Sequence, residues 1–136
     1  MAIDTRYAIC IVQNADDALL LVKRSAHRDF NPNRWGFPGG HIEDNESPQE
    51  TAWRELREEI GENHQVELQR CAGPFRDRHY GGRIEAHLFL YRWLGGTITL
   101  DAEHTDYAWA DPLRLHDYEL MPGIDADLDH LGLRTA

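Results

Sequence analysis

The sequence is short of basic residues compared with acidic ones. Fourteen lysines and arginines stand against 24 aspartates and glutamates, so the formal net charge is -10. A nucleic-acid backbone is bound by a surplus of Lys and Arg that displaces counterions, so this balance argues against nucleic acid as a partner. If the ligand is a phosphate compound, cations must mediate the contact.

The sequence also has little cysteine and no long apolar run. Cys10 and Cys71 each lie inside an apolar segment, which predicts small core residues of a reduced compartment rather than a disulfide framework or a metal clip. No segment approaches the roughly 18 apolar residues that span a bilayer, and the apolar run at residues 7–12 is too short for a signal peptide. We therefore expect a soluble, cytoplasmic protein with no membrane partner.

The length of 136 residues predicts a single domain, residues 1–136. Apolar runs on either side of a polar turn at residues 14–17 predict an N-terminal hairpin. Further runs around Gly81 and Gly82 predict a β meander, and helix-like segments follow at residues 112–117 and 123–131. The predicted strands are residues 5–13, 18–24, 66–80 and 83–94, with residues 97–100 following the last of these, and a further strand near residues 107–110.

The strongest helix signal covers residues 48–60. Ser47 is suited to be the N-cap, Pro48 occupies the first helical position, and Glu50 completes a capping box. Gly61 supplies the stop. At about 100° per residue one apolar stripe forms, and we expect it to dock on the sheet. Its members are Ala52, Trp53, Leu56 and Ile60.

Three glutamates of this helix, Glu55, Glu58 and Glu59, have the spacing i, i+3, i+4, which places their carboxylates on one face. One interpretation is a solvated acidic surface relieved by Arg54 and Arg57. However, like charges at these spacings repel by a few tenths of a kcal/mol per pair, and the helix dipole disfavours anions in the last turn. A divalent cation would explain such a cluster, and hard oxygen ligands suit Mg²⁺ or Mn²⁺.

The loop before the helix contains Pro38, Gly39 and Gly40. The two glycines permit backbone conformations that aim a carbonyl at a metal or bring the chain close to a ligand. Pro38 keeps Phe37 extended. Taken alone, this tripeptide is an ordinary turn.

Residues 40–62, GHIEDNESPQETAWRELREEIGE, resemble the box of the Nudix hydrolases, G-x5-E-x7-R-E-U-x-E-E-x-G-U, where U is apolar. Every fixed letter is present, and Leu56 supplies the first apolar position. The last apolar position is Glu62 in this chain. This departure concerns local packing after the helix rather than the chemistry, and Val66 is a candidate to compensate for it.

The resemblance implies an α/β fold, the Nudix fold, which is an α/β/α sandwich with a mixed β-sheet. It implies Mg²⁺- or Mn²⁺-dependent hydrolysis of a phosphoanhydride bond in a nucleoside diphosphate linked to a moiety X. Glu103, in a segment similar to the family's late loop, is a candidate for a further metal ligand or for the general base, and Glu85 and Asp101 compete for that position. Glu55 is the other candidate for the general base. The remaining roles that it implies are metal ligation by Glu55, Glu58, Glu59 and the Gly39 carbonyl, orientation of the carboxylates by Arg54, and support by Gly40 and Glu46.

The box does not identify the substrate. Arg24 resembles a nucleotide-contacting position of the family, Tyr80 has a spacing similar to that of a base-stacking tyrosine, and Arg78 is a candidate phosphate contact. Each is also compatible with an ordinary core or rim residue. Two other functions stay open, a catalytically silent nucleotide-binding sensor and a diphosphate isomerase on the same fold. The oligomeric state is left open between a monomer and a homodimer.

Overall fold

The computed structural model describes residues 3–77 and 81–133, which form three layers. Its helices are α1 (Pro48–Ile60) and α2 (Ile124–Leu131), and a short 3₁₀ helix spans Pro112–Asp117. Within these ranges no helix has both the length and the apolar character needed to cross a bilayer. The strands are β1 (Thr5–Gln13), β2 (Leu19–Arg24), β3 (Trp35–Gly36), β4 (Gly39–His41), β5 (His64–Arg76), β6 (Ile84–Gly96) and β7 (His104–Ala110).

The strands form one mixed sheet in the order β3-β2-β1-β6-β5, with β4 paired to β1 and β7 paired to β2. β1 and β6 run parallel from Thr5↔Ile84 to Gln13↔Arg92, while the other described strand pairs are antiparallel. The mixed sheet implied by the family resemblance is confirmed.

The predicted N-terminal hairpin forms only at its turn. The Asn14 side-chain oxygen accepts hydrogen bonds from the backbone N–H groups of Asp16 and Ala18, both at 3.0 Å, which closes the turn. Beyond it, β1 and β2 are in register only at Gln13↔Leu19. The two strands then part, and β4 pairs with β1 instead. This divergence opens the sheet on the side where the site lies.

Alternate residues of β1 pack against different helices. Ala8, Cys10 and Val12 belong to a buried cluster with α1, whereas Ile11 belongs to a second cluster with Leu128 of α2. Each face of the sheet is thus covered by one helix, which confirms the α/β/α sandwich.

Helix α1 begins and ends at the predicted residues. The Ser47 hydroxyl accepts from the Glu50 N–H at 3.2 Å, and the Glu50 carboxylate accepts from the Ser47 N–H at 2.9 Å, so the capping box is present. Ala52, Leu56 and Ile60 are fully buried. Trp53 is 42% exposed, so its placement in the apolar stripe is wrong. At 100° per residue it lies at the edge of the stripe, only about 20° from the buried Ile60, and it packs against the Arg57 guanidinium and the His64 ring.

Three other predictions need correction. Cys10 is buried, but Cys71 is exposed, because the register of β5 against β6 shifts between Leu68 and Arg70. Both cysteines are free. Residues 97–100 form no strand, and the short strand β4 includes Gly39 and Gly40, which were predicted to lie in the loop before α1.

Candidate active site at the parting of two strands

A cavity of about 280 Å³ lies where β1 and β2 part. Two sets of lining residues differ in their chemistry. Arg24, Glu59 and His104 are charged or titratable, and they are neighbours because His104 is the register partner of Arg24 and contacts Glu59. The second set is mainly apolar or aromatic and is contributed by β5, β6, α2 and the segment leading into α2. It includes Phe75, Ala86, Met121, Ala126 and His130.

The Glu59 carboxylate is buried at the edge of this cavity. The whole residue is 5% exposed, and its Oε2 accepts a hydrogen bond from the Gly39 N–H at 2.7 Å. Burial raises the pKa of Glu59 well above its usual range, and the charges of neighbouring carboxylates, including Glu55 and Glu103, raise it further, although the Gly39 bond lowers it. Without a bound cation, burial and the neighbouring acids therefore disfavour the charged form of Glu59.

Gly40 allows the Glu55 carboxylate to lie against the backbone. A Cβ atom at position 40 would be 2.4 Å from the Glu55 carboxyl carbon, and one at Gly39 would be 2.3 Å from the Ala8 carbonyl oxygen. A side chain at position 39 would collide with the backbone of β1, and one at position 40 would force the Glu55 carboxylate to move. Burial raises the pKa of Glu55, as does the Glu58 charge, whereas the Arg54 charge lowers it. The two glycines thus bring β4 into close contact with the acidic face of α1.

Arg54 connects the box glutamates. Its Nη1 donates to Glu55 Oε1 at 3.0 Å and lies 3.3 Å from Glu58 Oε1, and it forms two further bonds to Glu46. Glu46 also accepts from the Thr51 hydroxyl at 3.0 Å. The Arg54 hydrogen bonds lower the pKa of Glu46 to about 2. These contacts agree with the orienting and supporting positions that the resemblance implies for Arg54 and Glu46.

The side chains of the three box glutamates do not converge as closely as the sequence predicts. Among residues 3–77 and 81–133, no three or more His, Cys, Asp or Glu side chains form a group that could hold a metal ion. Positions 55, 58 and 59 spread over about 100° of the helix, and Arg54 draws Glu58 to the exposed side while Glu59 is buried. The donors nevertheless fit Mg²⁺ or Mn²⁺, because they are hard carboxylate oxygens crowded by like charge.

The two late-loop candidates lie close to α1. Glu103 has a 58% exposed side chain and forms an ion pair with Arg28, which lines the cavity, whereas Glu103 itself does not. The Glu103 charge nevertheless acts on both Glu55 and Glu59. Asp101 donates its N–H to the Glu59 carbonyl at 3.3 Å. Glu85, in contrast, lies on β6 with its Oε1 3.0 Å from His87 Nε2, and it does not line the cavity. The structure thus does not place Glu85 at this site.

The predicted substrate residues have different outcomes. Arg24 lines the cavity, and its Nε donates to the Phe30 carbonyl at 2.8 Å. Burial lowers its pKa. Arg78 and Tyr80 lie outside the described residues, so both stay predictions.

The titratable cavity residues that the sequence analysis missed include Arg28, His104 and Asp127. A signal for Asp127 was present, because it shares the spacing i, i+3, i+4 with the buried Ile124 and Leu128 on α2. Burial raises the pKa of Asp127 to about 7. No pattern in the sequence distinguishes Arg28 or His104 from ordinary loop and strand residues.

Comparisons with known proteins agree with this geometry. A family model described as NUDIX domain matches residues 4–129. Nucleoside triphosphatase NudI of Escherichia coli O139:H28 (strain E24377A / ETEC) is 30% identical over 124 residues, which cover 85% of this chain and 88% of that protein.

Two solved structures support the same fold. The solution structure of the E. coli ORF135 protein is 28% identical with a TM-score of 0.70, and the match covers 97% of this chain and 90% of that one. An ADP-ribose pyrophosphatase from Streptococcus suis 89-1591 has a TM-score of 0.73 at 22% identity, and the match covers 95% of this chain and 87% of that one.

Proposed function

Because the chain belongs to the Nudix family, we propose that it is a Mg²⁺- or Mn²⁺-dependent pyrophosphohydrolase of a nucleoside diphosphate linked to X. One observation carries the proposal. The Glu59 carboxylate is buried at a cavity edge among other carboxylates, an arrangement that costs stability unless a cation or a proton neutralises it. The three box glutamates and the Gly39 carbonyl would hold the cation.

A bound cation would neutralise the diphosphate and lower the pKa of a water molecule for attack on phosphorus. The protein supplies the proton acceptor, which is Glu55 or Glu103. Arg54 keeps Glu55 in place through its 3.0 Å bond, and Glu46 keeps Arg54 in place. Arg28 and Arg24 add positive charge beside the cavity for a polyanionic substrate.

The chemistry of the cavity favours a nucleotide whose phosphates lie beside Arg24, Glu59 and His104. Its volume of about 280 Å³ is at the lower end for small-molecule sites, which suits the nucleoside part of a substrate. The Phe75 ring and its stacked partner, His130, at 3.7 Å between ring centroids, offer apolar surface for it. NudI is named a nucleoside triphosphatase, so nucleoside triphosphates are the first members of the class to test.

The test is a substrate panel of nucleoside di- and triphosphates, nucleotide sugars, ADP-ribose and dinucleoside polyphosphates, assayed with Mg²⁺. We expect cleavage of at least one compound that stops when EDTA is added, and no need for zinc. Activity that survives thorough chelation would contradict the mechanism. Tight nucleotide binding without turnover would instead support the silent sensor, and rearrangement without cleavage would support the isomerase.

A further inference from the structure

His104 lies in a row of three titratable side chains, of which His104 and Glu59 are buried and Asp101 is 24% exposed. Its Nδ1 is 2.7 Å from Asp101 Oδ1, and its Nε2 is 3.4 Å from Glu59 Oε1. The side chains of His104 and Glu59 are 2% and 7% exposed. Glu59 and His104 line the cavity, whereas Asp101 does not. The imidazole therefore lies between Glu59, which lines the cavity, and Asp101, which does not.

Backbone hydrogen bonds that do not involve the imidazole hold the chain around His104. The Asp101 N–H donates to the Glu59 carbonyl at 3.3 Å, and the Ser25 N–H donates to the Glu103 carbonyl at 2.9 Å. The His104 Cα pairs with that of Arg24 in the ladder of β7 and β2. These backbone bonds fix the loop beside the ring, and Asp101 Oδ1, which contacts Nδ1, also accepts from the Glu103 N–H at 3.2 Å. On its other side, the ring contacts the Glu59 carboxylate at the cavity.

The Glu59 carboxylate is contacted on both oxygens. The Gly39 N–H holds Oε2 at 2.7 Å, and His104 faces Oε1. The terminal torsion of a glutamate is broad, so a single contact does not fix the plane of its carboxylate. Ligating groups in metal sites are commonly oriented by such outer contacts, whose loss costs about 10- to 100-fold in metal affinity or activity.

Resting on the proposed function, we infer that His104 is a positioning residue that holds the Glu59 carboxylate in the orientation a divalent cation requires, while Asp101 orients the imidazole. His104 contacts the cation only through Glu59. Its loss should therefore weaken cation binding more than substrate binding.

The test measures Mn²⁺ binding to the substrate-free protein by calorimetry. His104→Leu removes both ring nitrogens at similar volume, and we expect the Mn²⁺ dissociation constant to rise about 10- to 100-fold. His104→Gln can donate near the Nε2 position and should stay within about threefold of wild type. His116→Leu is the control, because that imidazole is 72% exposed and contacts Asp125 at 3.1 Å, and it should change nothing.

Turnover adds a second readout. In His104→Leu the Mg²⁺ concentration for half-maximal activity should rise, while KM for the nucleotide at saturating Mg²⁺ stays near the wild-type value. A merely structural effect would instead lower the melting temperature in EDTA and leave the Mn²⁺ affinity of the folded protein unchanged. If His104→Leu does not fold, Asp101→Ala replaces it, with an expected loss of Mn²⁺ affinity of about three- to tenfold.

Failure of this inference is distinct from failure of the proposed function. Unchanged Mn²⁺ affinity in His104→Leu, or in Asp101→Ala if that variant replaces it, overturns the inference, provided that Glu59→Gln still loses Mn²⁺ binding. Wild-type Mn²⁺ affinity in Glu59→Gln would remove Glu59 from the metal site, and the inference would fall with that assignment.

Discussion

The Arg54 guanidinium and the Glu46 carboxylate meet through two parallel hydrogen bonds, from Nε to Oε2 at 2.7 Å and from Nη2 to Oε1 at 2.9 Å. This fork is specific to arginine, since a lysine ammonium is a point charge. The same guanidinium bonds Glu55. One side chain thus connects the loop before α1 to the acidic face of α1.

The Arg54–Glu46 pair predicts how the stability of the protein changes in acid. The pKa of Glu46 is lowered to about 2 from 4.5, chiefly by the Arg54 hydrogen bonds, so its stabilising contribution is present above about pH 4.5 and is lost as pH falls towards 2. Glu46→Gln should flatten that part of the melting-temperature profile between pH 5 and 2. Glu43→Gln, an exposed change in the same loop, should keep the wild-type slope.

Replacing Glu103 tests the base assignment. Glu103→Gln should lower the maximal rate by at least about a hundredfold if Glu103 is the base, while KM changes little, because general-base contributions are about 10² to 10⁴. Steady-state kinetics measure both quantities. Glu85→Gln is the control and should keep full activity. If Glu103→Gln has a nearly wild-type maximal rate and Glu55→Gln is inactive, Glu55 becomes the general base.

Replacing Glu59 should change stability and activity in opposite directions. Glu59→Gln removes a buried charge, its repulsion with neighbouring acids and an unfavourable helix-dipole contact, so the metal-free protein should gain a few tenths of a kcal/mol or more. Activity should collapse, and Mg²⁺ should raise the melting temperature less than in wild type. Thermal melts with and without Mg²⁺, beside a turnover assay, measure all three effects. Full activity would contradict the metal-ligand assignment.

Asp127 predicts a second pH effect, of opposite sign to that of Glu46. Burial raises its pKa from 3.8 to about 7, so the folded protein holds a proton that the unfolded chain has lost, and stability falls as pH rises through this window. Asp127→Asn should reduce the loss of unfolding free energy between pH 5 and pH 8 by about 1 kcal/mol or more. Urea denaturation at the two pH values measures it. Asp129→Asn, on the exposed side of α2, should behave like wild type.

The parts of the fold set by local chemistry were predictable from the sequence. The bounds of α1 follow from Ser47, Pro48 and Gly61, whose capping preferences act within a few residues. The contacts of Glu46 and Arg54 agree with the box, because they lie on one helix and the loop before it.

The parts set by distant contacts were not predictable. The polar turn at residues 14–17 did not indicate that β1 pairs mainly with β6 rather than with β2. The alternation of residues along a strand predicts which side chains face the core, but it does not predict which strand pairs with it. His104 and Arg28 reach the site through tertiary placement alone. Trp53 was misplaced because its angle around the helix is close to that of the buried Ile60, and only tertiary contacts decide which of the two is covered.

The parallel pairing of β1 with β6 also bears on how the protein folds. The partners of β1, from Ile84 to Arg92, are more than half the chain length away from it. Such non-local pairing is slow, because the entropy of closing the intervening chain must be lost before the contacts form. The turn at Asn14 can form early, but the cavity requires β1 in its final place. A ligand of this cavity should therefore bind in refolding only after β1 has paired with β6.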